Sequence, residues 1–334
     1  LVQDVKPKQY QVVGIGNAVV DVLSHVEYEF LDTHGIEPGI MQLINLDRAI
    51  ELYNLSDNAT EVSGGSAANT VAGLAKMGLS TAYIGKVKDD QLGATFAQDI
   101  RSLGATYTTK FADNKQPYET GRSLIMITPE SERSMNTYLG AAEFLSPEDI
   151  DPAIVGNTDW LYLEGYRFDG PGSHQAFQMA IDLCHQAGGQ VAIALSDPFC
   201  VNRHRTAFQE LVENKVDLVF GNEAEILSLY QDTSLDEAIA KLDQTGKLIM
   251  ITLSEKGALA VCKGKRIHVK AEPTNVVDAT GAGDQFAAGC FYGLAHGFGL
   301  EKITQFGCIA ASEVIEHTGP RPQSDVLKLI QQVI

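Results

Sequence analysis

Asp278-Ala279-Thr280-Gly281-Ala282-Gly283-Asp284, running at once into Gln285-Phe286-Ala287-Ala288-Gly289, decides how the rest of this chain reads. Two glycines bracket one alanine, so successive backbone N–H groups carry almost no side-chain bulk. The residues that follow have helical character, with Phe286, Cys290, Phe291 and Leu294 spaced to share one side. A bare loop entering a helix leaves unpaired N–H donors and the positive end of the helix dipole facing outward. Such a turn binds phosphate. Asp284 falls in the first helical turn, beside the place where a phosphate would rest, and an anion cradle with an adjacent carboxylate is what phosphoryl transfer to a hydroxyl needs. An Asp-capped, Gly-rich helix start without chemistry is the alternative at this point.

Outward from this turn, short apolar runs alternate with amphipathic stretches. Strands are expected at Val12–Ile15, Ala82–Gly85, Trp160–Leu163, Val191–Leu195, Leu218–Phe220, Leu248–Leu253 and Ala258–Cys262, and helices at Ala67–Met77, Leu92–Leu103, His174–Gln186, Ala207–Asn214, Glu223–Tyr230, Leu235–Leu242, Gly283–His296 and Lys302–Glu316. This alternation predicts an α/β fold: a doubly wound, mostly parallel sheet flanked by helices, with ligands at the carboxyl ends of the strands. Val20–Val26 and Thr120–Thr128 are β-rich without crossover helices, and Tyr107–Tyr118 reads as loop. A small β-sheet lid contributed by about 18–45 and 106–140 is therefore expected on a single domain spanning 1–334.

The chain has 334 residues and a net charge of −18, which disfavours nucleic-acid and membrane-surface partners. Its five cysteines are scattered without a CxxC pair, and its histidines form no HExxH, so a reduced cytoplasmic protein without a zinc site is expected. There is no GxxxxGK[ST], which excludes a P-loop enzyme.

Further segments carry polar groups to strand ends. Gly14-Ile15-Gly16-Asn17 begins like a dinucleotide fingerprint, but the third glycine is replaced by Val19, which weakens a dehydrogenase reading. Asn17 and Asp21 could instead grip a vicinal diol, or serve the turn. In Gly64-Gly65-Ser66-Ala67-Ala68-Asn69, the glycines permit close ligand approach and Asn69 could reach a hydroxyl; a tightly packed loop-to-helix junction explains them equally. Asn222 and Glu225 share a helix face, where they could order the water shell of Mg²⁺ or simply form a capping box. Thr252 and Gly257 flank a strand turn that could lie against ATP. Arg133 is either a solvated surface residue or a mobile cation that closes over the transferred phosphate.

With these pieces in order, the chain resembles the ribokinase-like (PfkB-type) carbohydrate and nucleoside kinases. The early signature matches Gly64-Gly65-Ser66-Ala67-Ala68-Asn69 and runs on to Gly85-Lys86-Val87-Lys88-Asp89-Asp90-Gln91-Leu92-Gly93; the late one matches Asp278 to Asp284, and Asn222 with Glu225 matches NxxE. Within that family the chain looks most like adenosine kinases, through Asn17 with Asp21, Glu132-Arg133-Ser134, Leu195-Ser196-Asp197-Pro198-Phe199 and His317-Thr318-Gly319. The resemblance implies Asp284 as base, Gly281, Ala282 and Gly283 as anion hole, and Arg133 on the phosphoryl group. It implies Asn17, Asp21, Gly65 and Asn69 on ribose hydroxyls, Phe199 near a nucleobase, ATP and Mg²⁺ as cofactors, and a monovalent cation such as K⁺ near Asp278 and Thr280. Ser254, Asp197 and Tyr166-Arg167 depart from the pattern. A kinase acting on adenosine is the first reading, a kinase for a free sugar such as ribose or fructose the second, and a non-catalytic metabolite-binding protein the third. An exposed lid sheet could also pair two copies into a homodimer.

Overall fold

The computed structural model describes residues 7–334 other than 57, 131 and 233, so the first six residues of the expected single domain lie outside it. In chain order its strands are β1 (Tyr10–Ile15), β2 (Val19–His25), β3 (Met41–Leu43), β4 (Thr60–Gly64), β5 (Thr81–Ile84), β6 (Thr106–Tyr107), β7 (Thr120–Ile127), β8 (Arg133–Gly140), β9 (Thr158–Glu164), β10 (Gln190–Ala194), β11 (Leu218–Asn222), β12 (Leu248–Thr252), β13 (Ala258–Cys262) and β14 (Lys265–Val269). They form a nine-stranded sheet in the order β14-β13-β12-β11-β10-β9-β1-β5-β6 and a five-stranded sheet in the order β3-β8-β7-β2-β4.

In the large sheet every pairing from β12 through to β6 is parallel, and β13 and β14 add an antiparallel edge. The central strands read as nearly unbroken apolar runs because both of their faces are covered. Alternate residues point into two separate cores. Val12, Tyr83, Tyr162, Ala192, Phe220 and Met250 pack on one side, with the helices Ser66–Lys76, Gln91–Ser102, Ala282–Ala295 and Leu300–Ile315. Val13, Ile84, Leu161, Ile193, Val219 and Ile251 pack on the other, with Ser173–Gln186, Arg205–Asn214, Glu223–Tyr230 and Leu235–Gln244.

From β1 the strand order grows one way through β5 and β6, and the other way from β9 to β12. The strand order therefore reverses between β1 and β9, and in such sheets the crevice beyond the carboxyl ends at this point receives ligands. Asn17 lies just past the end of β1, and Glu164 is the last residue of β9.

The small sheet joins β2 and β7 in parallel, with β4 and β8 antiparallel on either side. β4 leads directly into Gly65 and the helix Ser66–Lys76, while Thr106–Tyr107 pairs with β5 at the edge of the large sheet. No helix among the described residues is long and apolar enough to cross a membrane.

Candidate active site

Gly281 takes φ +79°, and a Cβ there would lie 2.5 Å from the carbonyl oxygen of Pro320, so only glycine makes this turn without strain. The helix Ala282–Ala295 starts at once from it. A turn closes behind Gly281, the Ala282 N–H donating to the Ala279 carbonyl at 3.2 Å. Ala282 is thus removed from the expected set of anion-hole donors. The N–H groups of Gly283 and Asp284 find no acceptor among the described residues, and a Cβ on Gly283 would meet nothing within 4 Å. Two free donors over open space at a helix start make a cradle that suits a phosphate oxygen.

Asp284 is held from the facing helix. Ser66 Oγ donates to its Oδ1 at 2.6 Å, Asn69 Nδ2 to its Oδ2 at 3.0 Å, and Thr70 Oγ1 to its backbone carbonyl at 3.0 Å. The residue keeps some exposed surface, yet protein encloses the carboxyl group on most sides. Desolvation pushes its pKa up to about 6 against the opposing pull of Ser66, Asn69 and Arg321. The Asn69 amide oxygen is buried without a partner, which leaves an acceptor for a hydroxyl hydrogen.

Asp21 is almost fully buried on β2, its carboxylate lying over Gly64. Burial raises its pKa to about 6; Arg321 and then Arg133 lower it, and Asp284 raises it further. Gly65 has φ +102°, and a Cβ there would collide with the Asn17 carbonyl oxygen, so its first duty is to let two loops cross. Glu164 accepts the backbone N–H of Asn17 at 3.3 Å and of Ala67 at 2.9 Å, tying β1's exit to the helix start; desolvation raises its pKa to about 7. Asn17, Asp21, Gly65, Asn69 and Asp284 thus come together around the crevice.

Arg133 opens β8 and is buried, which removes the solvated-surface alternative. Its Nη2 pairs with Asp278 Oδ2 at 2.8 Å, and among the described residues its guanidinium nitrogens make no hydrogen bond of good geometry. Asp278 also accepts Thr280 N–H (3.0 Å) and Thr280 Oγ1 (2.7 Å) on Oδ1, and Gly319 N–H (2.8 Å) on Oδ2. A carboxylate has about four lone-pair sites. Three of these are used by the hydrogen bonds, and the Arg133 guanidinium lies against Oδ2 as an ion pair.

Asn222 and Glu225 form a capping box. Glu225 N–H donates to Asn222 Oδ1 at 2.9 Å, and the carboxylate accepts the Asn222 backbone N–H (3.0 Å) and Nδ2 (2.7 Å). Burial raises the Glu225 pKa to about 7. Among the described residues no group of three or more His, Cys, Asp or Glu could cage a metal. Thr252 ends β12, level with Asn222. Gly257 has φ +93° and backs onto Val269, so its turn demands glycine whatever it binds; Ser254 stands at φ +52°. Phe199 is 73 % exposed on the short helix Pro198–Arg203, so no aromatic pocket encloses it.

Ser66, Glu164, Arg167 and Arg321 complete the site; the sequence reading names Ser66 and Arg167 without giving them a role and does not name Glu164 or Arg321. Their signals were an acid ending an otherwise apolar parallel strand (Glu164) and a hydroxyl between the glycine pair and the helix (Ser66). Arg321 gave none. It donates to Asp99 Oδ2 (2.8 Å) and Ser63 Oγ (2.7 Å), joining the C-terminal loop to the small sheet.

Residues 41–326 match the model of the pfkB family of carbohydrate kinases. The chain belongs to this family. It is 30 % identical over 320 residues to the 5-dehydro-2-deoxygluconokinase of Lacticaseibacillus casei, covering 92 % of this chain and 90 % of that protein. Two crystal structures are also similar. One is a probable sugar kinase protein from Rhizobium etli CFN 42 (TM-score 0.90, 41 % identity, covering 98 % of this chain and 99 % of that one). The other is the adenosine kinase from Sinorhizobium meliloti (TM-score 0.89, 43 % identity, covering 98 % of this chain and 100 % of that one). As a pfkB kinase, the protein is an ATP-dependent phosphotransferase for a small, sugar-like substrate.

Proposed function

We propose that this kinase transfers the γ-phosphoryl group of ATP to a primary hydroxyl of a free sugar or sugar-derived polyol, with Asp284 as base. The observation that carries the reading is the position of Asp284. Its carboxylate is fixed by Ser66 and Asn69 at a helix start whose Gly283 and Asp284 N–H groups are free. Asp21 and the unpaired Asn69 oxygen accept substrate hydroxyl hydrogens, and Asn17 donates. In the transfer the substrate oxygen bonds to the γ-phosphorus, the phosphorus–oxygen bond to ADP breaks, and the hydroxyl proton passes to Asp284. A carboxylate of pKa about 6 is ionised at neutral pH and basic enough to accept a proton released late.

The N–H groups of Gly283 and Asp284 hold charge on the migrating group, each such donor contributing about 2.7–4 kcal/mol. Arg133 leaves Asp278 to approach the phosphates as the small sheet closes as a lid, which keeps water from competing for the phosphoryl group. Asn222 and Glu225 would hold the water shell of Mg²⁺, which when bound would neutralise the ATP phosphates.

A free sugar is favoured by the 5-dehydro-2-deoxygluconokinase relatives, by the polar lining of Asn17, Asp21 and Asn69, and by the exposure of Phe199. The adenosine reading rests on the 43 % identical structure from Sinorhizobium meliloti. ADP release with Mg-ATP and ribose, fructose, 5-dehydro-2-deoxygluconate, adenosine, inosine or guanosine separates them. A sugar with kcat/KM at least about tenfold above every nucleoside is expected, tenfold being about 1.4 kcal/mol of discrimination. The reverse order installs the adenosine reading, and turnover of none overturns the enzyme.

A further inference from the structure

Arg167 stands out as a fully buried cation that the transfer does not use. It lies 1 % exposed in the turn Gly165–Asp169 after β9. Its Nη1 donates to Asn17 Oδ1 at 3.0 Å and to the Ala142 carbonyl, and its Nη2 to Ser173 Oγ at 2.9 Å and to the Leu145 carbonyl at 3.4 Å. A guanidinium has donors only. Whichever end of the Asn17 amide faces it must therefore be the oxygen.

The Asn17 amide cannot turn over while Arg167 is there. Its backbone is pinned as well, by Glu164 on the N–H and by Gly65 packed against the carbonyl. Asn17 Nδ2 has no acceptor among the described residues. Asn69 is fixed in the opposite sense, with Nδ2 given to Asp284 and Oδ1 left unpaired. The two amides thus present opposite polarities to the crevice.

We propose that Arg167 is a positioning residue that sets substrate specificity by locking Asn17 as a hydrogen-bond donor. The substrate atom meeting Asn17 must then accept: a hydroxyl, carbonyl or carboxylate oxygen is admitted, and a protonated amine is refused. The proposal rests on the sugar-kinase reading and names the polarity of its substrate.

Asn17→Asp tests it, because the acid keeps and strengthens the partnership with Arg167 while offering only acceptors to the crevice. The accepted sugar is compared with its set of mono-amino analogues, by KM and by ligand-induced shift in Tm, which needs no turnover. In Asn17→Asp the sugar's KM should rise at least about tenfold with the KM for ATP unchanged, and one amino analogue should gain at least about tenfold relative to the sugar, the selectivity a lost or mismatched polar contact carries. Arg167→Met should raise the sugar's KM in the same way, and in an Asn17→Ala background it should add nothing further, since coupled residues are not additive. If Arg167→Met does not fold, the Asn17→Asp selectivity alone decides. An unchanged ratio of sugar to amino sugar in Asn17→Asp overturns the proposal. Wild-type turnover of a sugar, measured alongside, reports separately on the reading beneath it.

Discussion

Ser66 donates its hydroxyl hydrogen to Asp284 Oδ1 at 2.6 Å, joining two helices whose residues are 218 positions apart in the chain. The Gly64-Gly65 crossing and the Gly281 turn thereby meet at one carboxylate, and the hydroxyl tunes the group it holds. A hydrogen bond to the ionised form keeps the Asp284 pKa from rising beyond about 6.

Ser66→Ala removes that bond and leaves the desolvation. The acid limb of the kcat/KM profile should move to higher pH by about one unit, since a hydrogen bond to a charged group contributes about 1.5–3 kcal/mol and one unit is about 1.4 kcal/mol. A midpoint that stays in place would show that the limb belongs to another group.

The glycines of the turn should separate by function. Gly281→Ala forces a Cβ toward Pro320 at positive φ and should lower Tm. Gly283→Ala meets open space inside a helix and should raise stability by about 0.5–1 kcal/mol, alanine being the better helix former. Its methyl would intrude on the cradle, so the KM for ATP should rise. Thermal melts and ATP titrations of the two variants check both halves.

Glu164 gives a pH-dependent stability with a definite sign. Its folded pKa of about 7 lies above the unfolded value, so the folded state holds the proton more tightly. The stability from this group is fully present below the unfolded pKa near 4.5 and lost as pH rises through about 7. Glu164→Gln should therefore flatten the fall, with its Tm relative to wild type higher at pH 8 than at pH 5. A difference independent of pH would mean that Glu164 does not titrate in this range.

Much of this architecture was legible because burial on two faces writes continuous apolar runs: β1, β5, β9, β10, β11 and β12 were all expected within a residue or two. What escaped were pieces with weaker patterns. β4, Thr-Glu-Val-Ser-Gly, is half-buried and polar, and gains its place by pairing with β2. β14 is a short, charged edge strand whose apolar face is only Ile267 and Val269, half-buried against the core. In the site, the cradle and its acid were readable because glycine spacing is a local signal. The partners that tune it were not. Arg167 and Arg321 act through contacts 150 to 258 residues away, which no local pattern announces. Arg133 was read as a cation for phosphate, but its pairing with Asp278 is a long-range ion pair whose partner only the fold supplies.

Asp284→Asn, assayed for ADP release beside titration of the sugar by ligand-induced stabilisation, addresses the role of the acid most directly. The amide keeps the size of the side chain and an acceptor for Ser66, but cannot take the hydroxyl proton. The expected result is a kcat lowered by about 10²–10⁴ with sugar affinity within a few-fold of wild type. A variant that keeps more than about a tenth of wild-type turnover would contradict a base at position 284.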